Sequence, residues 1–173
     1  MKRAALFLGI LFLLSDFSYS QNILYVNNVL GNDAYDGLSP ITAGSPVNGP
    51  KRTISNAITT ALPGALIYIA ATGISYVESP NVNKLVTFIG YSSAGTTANV
   101  VIELTAGDMI FNIPSGGAVM FLVLPIAGTG YGFPSAAGFQ FKGTATTGFY
   151  FLSGSVLQVN TVFQIIFPFR YKR

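Results

Sequence analysis

Apolar positions in this chain fall into short runs broken by Gly, Ser, Asn and Pro, and one stretch alone carries a helical period. Ile54, Ala57, Ile58, Ala61 and Leu62 recur at i, i+3, i+4, i+7 and i+8, with Ser55, Asn56, Thr59 and Thr60 on the other side. The spacing predicts an amphipathic helix that stops at Pro63-Gly64. A helix this short is unstable alone, so Ile54, Ala57, Ile58 and Leu62 are expected to face an apolar surface. Before it lie a β-type run, Ile23–Val26, and a turn-rich loop from Asn27 to Pro50. After it come the runs Leu66–Ala70, Leu85–Tyr91, Val100–Leu104, Met109–Ile113, Ala118–Leu124, Gly138–Phe141, Phe149–Leu152, Val156–Val159 and Val162–Phe167. The stronger ones begin at 66, 85, 100, 118, 138 and 156, a spacing of 15 to 20 residues. With no second helix among them, the pattern is that of an all-β sandwich, barrel or solenoid.

The N-terminus follows a different rule. Lys2 and Arg3 precede the unbroken apolar run Ala4–Leu14, and the small polar stretch Ser15–Ser20 ends before Gln21. This is the three-part pattern of a secretory signal peptide over residues 1–20, cleaved near Ser20-Gln21. The alternative is a buried N-terminal helix. Spanning a bilayer takes about 20 apolar residues, so no stable membrane span is expected once the signal is removed. The expected address is secreted or cell-surface, the periplasm included.

Composition then narrows the chemistry. The 173 residues are 50% hydrophobic and 9% charged, with no His, Cys or Trp. Without His there is no Ser-His-Asp or Cys-His catalysis and no imidazole ligand. Without Cys there is no disulfide framework, thiolate nucleophile or zinc–thiolate site. An exported chain with neither Cys nor an Asn-x-Ser/Thr sequon fits a bacterial source. The formal charge of +3 belongs to the ends: between Gln21 and Phe169, Lys51, Arg52, Lys84 and Lys142 stand against Asp33, Asp36, Glu78, Glu103 and Asp108. With no basic patch in the body, nucleic acid is not an expected partner.

Several segments occur in a familiar order. Tyr25-Val26 leads to Gly31-Asn32-Asp33…Asp36-Gly37-Leu38-Ser39-Pro40. Gly49-Pro50-Lys51-Arg52-Thr53-Ile54 and Ala57-Ile58 follow, then Pro63-Gly64-Ala65-Leu66-Ile67-Tyr68-Ile69-Ala70, Gly73-Ile74-Ser75-Tyr76 and Glu78. Over roughly residues 23–91 this resembles the N-terminal entry of right-handed parallel β-helix proteins of the pectin-lyase-like superfamily. Ala65 departs from the usual Asp, and Ala71-Thr72-Gly73 from the usual Pro-Gly-Thr. The resemblance implies residues 21–64 as entry strand, loop and capping helix, and residues 65–173 as about five or six β-helix coils. A solenoid must cover the ends of its hydrophobic bore. No second cap follows Phe163–Tyr171, so three arrangements are expected to account for that end: truncation of a longer gene product, self-capping by the last strand with Pro168 and the Arg/Lys tail, or burial in an oligomer.

The candidate site residues are few. Glu103 and Asp108 are the one close carboxylate pair past the first coil, and sugar hydrolysis needs two carboxylates facing a substrate. The competing reading is a solvated turn. Lys84 and Lys142 are the available bases for lyase chemistry, but no acidic cluster accompanies either. Asn32, Asp33 and Asp36 are calcium candidates without the spacing of an EF-hand, and Asx-turn roles compete. Tyr131 and Phe133, in the Gly-rich stretch Gly128–Gly138, are the aromatics expected to be exposed for stacking on a sugar, whereas most other Phe residues are expected in the core. The expected function is that of an exported, non-catalytic, carbohydrate-associated or surface module, with no cofactor beyond the calcium candidate. The alternatives are a polysaccharide lyase or hydrolase whose catalytic coils are missing or degenerate, and a self-assembling adhesin or fibre segment. The expected partners are a polysaccharide or cell-surface glycan, and further copies of the chain through the uncapped end.

Overall fold

The structure is a computed structural model and describes residues 22–42, 47–93, 98–105, 107–113, 118–126, 131–144, 146–152, 155–166 and 171–172. The expected signal peptide lies outside the described residues, as do Phe167–Arg170 and Arg173 of the C-terminal tail. Thirteen strands and one helix are described. The strands are β1 (Ile23–Val26), β2 (Ala65–Ala71), β3 (Tyr76–Val77), β4 (Asn81–Val82), β5 (Val86–Ser92), β6 (Asn99–Leu104), β7 (Met109–Phe111), β8 (Ala118–Val123), β9 (Gly138–Gly143), β10 (Phe149–Phe151), β11 (Val156–Val159), β12 (Phe163–Ile166) and β13 (Tyr171–Lys172). The helix, α1, covers Ile54–Thr60.

The chain visits three parallel sheets in rotation. The first has the order β1-β2-β5-β8-β11, the second β3-β6-β9-β12 and the third β4-β7-β10-β13. From β2 onward each strand pairs with the strand three places later, giving four strand triplets stacked on one another. Strands of one sheet start at 65, 86, 118 and 156, so the repeat lengthens from 21 to 32 to 38 residues. Among the described residues there are four such triplets, where about five or six coils at a spacing near 18 were expected. Runs beginning near 66, 85, 118 and 156 belong to the first sheet, and those near 100 and 138 to the second. Equal-looking gaps had mixed steps between sheets with steps between repeats.

Alternation along each strand places one set of side chains inside. Val100, Ile102 and Leu104 of β6 are buried, while Asn99, Val101 and Glu103 between them are half-exposed. Parallel register stacks the inward residues in columns, such as Ile67, Phe88, Phe121 and Val159, or Tyr76, Ile102, Phe141 and Ile165. Phenylalanines fill the middle of the core. The Phe121 ring centroid lies 5.0 Å from those of Phe88 and Phe139 and 5.6 Å from that of Phe163. Such offset and edge-on contacts suit the ring quadrupole.

Helix α1 lies against β1, β2 and β4, with Ile54, Ala57 and Ile58 buried. Leu62, expected to face inward, is 58% exposed. The helix ends at Thr60, and Ala61 has ψ 143°, so the chain has left the helical period before Leu62. Ala61 is the last buried apolar residue of that stripe.

Candidate functional site

The entry loop owes its shape to the acidic and amide side chains proposed as calcium ligands. The Asn32 side-chain oxygen accepts from the Ala34 amide at 3.0 Å, an Asx turn. One Asp36 oxygen accepts from the Leu38 and Gly49 amides at 2.9 and 3.4 Å. Asp33 reaches further: Oδ1 accepts from the Arg52 and Thr53 amides, both at 2.9 Å, and Oδ2 from the Thr53 hydroxyl at 2.9 Å. Gly37, at φ 81°, lets the loop turn back. A Cβ on Gly31 would collide with the carbonyl oxygens of Asn27 and Lys51, which explains glycine there. Among the described residues, no group of three acidic side chains is placed to hold a metal ion.

Asp33 thus opens a chain of contacts that seats α1. The first turn of any helix leaves its amides without carbonyl partners. Here the Thr53 hydroxyl accepts from the Asn56 amide at 3.1 Å. Glu78, from the turn between β3 and β4, accepts from the Ile54 amide with one oxygen and from the Ser55 amide with the other, both at 2.8 Å. The Ser55 hydroxyl adds a 2.5 Å bond to Glu78. At the other end the Lys84 ammonium donates to the carbonyl oxygens of Ile58, Thr59 and Ala61 at 3.0, 2.8 and 2.8 Å. Negative groups at the N-terminus and a positive one at the C-terminus both complement the helix dipole. Lys84, a candidate base on sequence grounds, is a helix cap. Their separation of 23 to 26 residues from α1 hid these contacts from a reading of the sequence.

Tyr131 and Phe133 are not free-standing stacking residues. They are half-buried in a second apolar cluster with Tyr25, Tyr68, Ala70, Tyr91 and Ile126, apart from the main core. The Phe133 ring lies 5.6 Å from that of Tyr91 and is stacked on Tyr131 at 6.3 Å. The segment after β8 folds back over the outer face of the first sheet, and Tyr91 bridges antiparallel to Ser135 there. The Tyr131 hydroxyl lies 3.3 Å from the Ser39 hydroxyl, tying this segment to the entry loop. Burial raises the Tyr91 and Tyr76 hydroxyl pKa values well above the ordinary tyrosine value. The Tyr76 hydroxyl donates to the Ala70 carbonyl at 2.8 Å inside the main core.

Glu103 and Asp108 flank the turn between β6 and β7. Glu103 stands in register with Lys142 of β9, on the outward side of the second sheet. A groove of about 320 Å³ opens there, lined by Glu103, Leu104, Thr105, Lys142, Gly143 and Thr144. Asp108 does not line it, so this groove carries one carboxylate rather than two. A second groove, of about 270 Å³, runs beside the start of α1 between Asn28, Arg52 and the Ile74–Glu78 segment. Its Glu78 carboxylate already holds the helix amides. Among the described residues no helix is long and apolar enough to cross a membrane.

No protein-family model matches the chain, and neither curated proteins nor solved structures gave a match.

Proposed function

We propose that the chain is an exported, non-catalytic module built as a right-handed parallel β-helix of the pectin-lyase-like kind, serving at a cell surface in association with carbohydrate. The strand order supports the architectural part: three parallel sheets, each taking every third strand, are what a helical path of the backbone produces. The observation that carries the functional part is the use made of ionisable side chains. Asp33, Asp36, Glu78 and Lys84 bind backbone groups, and Glu103 shares its groove with Lys142 instead of a second carboxylate. Acid–base hydrolysis of a glycosidic bond needs two carboxylates about 5–10 Å apart across the substrate.

The test is incubation of the exported chain with a panel of polysaccharides, following both retention on the insoluble polymer and release of reducing or unsaturated ends. Retention without depolymerisation is expected. Depolymerisation that disappears in Glu103→Gln would overturn the non-catalytic reading. Because the chain has no native Cys, Gln140→Cys with Gln164→Cys gives a clean check of the stacking. Neighbouring strands lie about 4.8 Å apart, within reach of a short thiol-bridging reagent.

Self-assembly is a second reading, favoured by one observation. Val159 and Ile165, the last described members of columns that are otherwise at most 2% exposed, are themselves 36% and 37% exposed. Sedimentation that shifts with concentration in the wild type, and less so in Ile165→Lys, would support it.

A further inference from the structure

The loop between β1 and α1 does more than seat the helix: it covers the outer edge of the first sheet. β1 pairs with β2 on one side only. On its other side the Tyr25 amide donates to the Gly37 carbonyl at 2.7 Å and the Asn27 amide to the Lys51 carbonyl at 2.8 Å. The Tyr25 carbonyl accepts from the Lys51 amide at 2.8 Å. Without these contacts the edge would offer unpaired amides and carbonyls to another strand. The two covering segments are joined by the Asp36 and Gly37 amides, which donate to the Val47 and Gly49 carbonyls at 2.8 and 2.9 Å. The Gly49 amide also reaches one Asp36 carboxylate oxygen at 3.4 Å.

Asn48-Gly49, the one Asn-Gly dipeptide of the sequence, lies in this closure. Asparagine is chemically labile, and a following glycine leaves its own amide nitrogen unhindered. The Gly49 nitrogen attacks the Asn48 Cγ: the N–Cγ bond forms, the Cγ–Nδ2 bond breaks, and Nδ2 leaves as ammonia with the Gly49 proton. Water then opens the succinimide at either carbonyl, giving aspartate or isoaspartate at position 48. The closed loop obstructs this reaction. Gly49 is buried, its amide proton points to Asp36, and a Cβ placed on it would lie 2.7 Å from the Tyr35 ring. The product also fits worse than the reactant. The Asn48 Oδ1 is buried with no hydrogen-bond partner in the structure, a position where a carboxylate would be costly. Isoaspartate would add a backbone carbon just before Gly49, whose carbonyl holds the Gly37 amide. We infer that Asn48-Gly49 is a modification site gated by the entry loop: opening admits deamidation, and deamidation keeps the loop open and the β1 edge bare. This inference is independent of the carbohydrate-associated reading.

The experiment ages the exported chain at mildly alkaline pH, folded and in urea. Peptide mapping by mass spectrometry and enzymatic isoaspartate methylation follow position 48, and hydrogen exchange follows the Tyr25, Asn27 and Gly37 amides. Reaction through an opened loop alone should make the folded chain deamidate about tenfold slower than the unfolded chain, or slower still. Tyr35→Ala, which uncovers Gly49, is expected to bring the folded rate several-fold closer to the unfolded one. Urea below the unfolding transition should do the same in the wild type, should that variant fail to fold. Asn48→Gln is expected to abolish the mass shift at this position. The aged chain, and Asn48→Asp made directly, are expected to exchange the Tyr25 and Asn27 amides faster while β8 and β9 stay unchanged. Equal rates in the folded and unfolded chain would overturn the gate. A deamidated chain whose Tyr25 and Asn27 amides exchange as before would overturn the claim that the loop stays open. An unfolded chain that keeps Asn48 intact would remove the site altogether.

Discussion

The two ends of the stacked sheets are built by opposite means. At the entry end a seven-residue helix covers the core; Thr53, Glu78 and Lys84 tie up its terminal amides and carbonyls, and Asp33 holds its N-cap residue Thr53. At the other end, Val159 and Ile165 stand where Phe121 and Phe141 stand one triplet earlier, and their exposure rises from nothing to more than a third. Stacking buries a residue only when a neighbour lies on both sides of it. A chain with so few charges has placed Asp33, Asp36, Glu78 and Lys84 at the covered end, and Lys51 with them: the Lys51 ammonium donates to the Asp33 carbonyl at 3.1 Å.

The sharpest way to break this comparison is to truncate matched residues at different depths. Phe121→Ala, in the middle, should cost about 3–5 kcal/mol and in practice abolish cooperative unfolding, as read by denaturant titration. Glu78→Ala leaves two helix amides and the Ser55 hydroxyl without their acceptor. It should cost about 1–3 kcal/mol and speed amide exchange in α1 and β1 before the other strands. Lys84→Met, which uncovers three carbonyls at the far end of α1, should cost about 1 kcal/mol and leave exchange in β8 and β9 unchanged. Ile165→Ala should cost less than the ~2–5 kcal/mol typical of fully buried sites. A loss as large as that of Phe121→Ala would show that the last triplet is covered in solution.

Alkaline titration sharpens the contrast between the inside and the outer cluster. Tyr76 and Tyr91 have folded-state hydroxyl pKa values raised by burial above the value near 10 of an unfolded chain. The folded state therefore holds these protons more tightly, and the stability they contribute is complete below about pH 10 and is lost as pH rises beyond it. Absorbance of tyrosinate should show Tyr76 and Tyr91 ionising only together with unfolding.

Nine apolar runs expected from the sequence coincide with strands β2 and β5–β12, because each is long enough to show a β texture. The two-residue strands β3, β4 and β13 were missed, since two residues cannot display a period of two. The helix start was legible in Ile54, the first residue of the apolar stripe. Its end was not, because Leu62 continues the apolar spacing while the cap comes from Lys84, more than twenty residues on. The loop acids looked like ligands because residue type alone does not say whether an oxygen faces a metal or an amide. Tyr131 and Phe133 looked exposed because the glycines around them suggested a surface loop, and nothing local announced the Tyr25, Tyr68 and Tyr91 rings they cover. The groove at Lys142 depends on register, which places Lys142 beside Glu103 across 39 residues of sequence.

The rotation of the chain through the three sheets also sets a timetable. After β1, which pairs only with β2, every strand finds its partner in the triplet made just before or just after it. Such a molecule needs no distant segment to arrive before it begins to fold. Once β1, β2 and the seated helix have come together, each newly delivered stretch of some 20 to 40 residues can dock on a finished edge. A chain threaded N-terminus first through a narrow translocation pore could therefore assemble in the order in which it emerges.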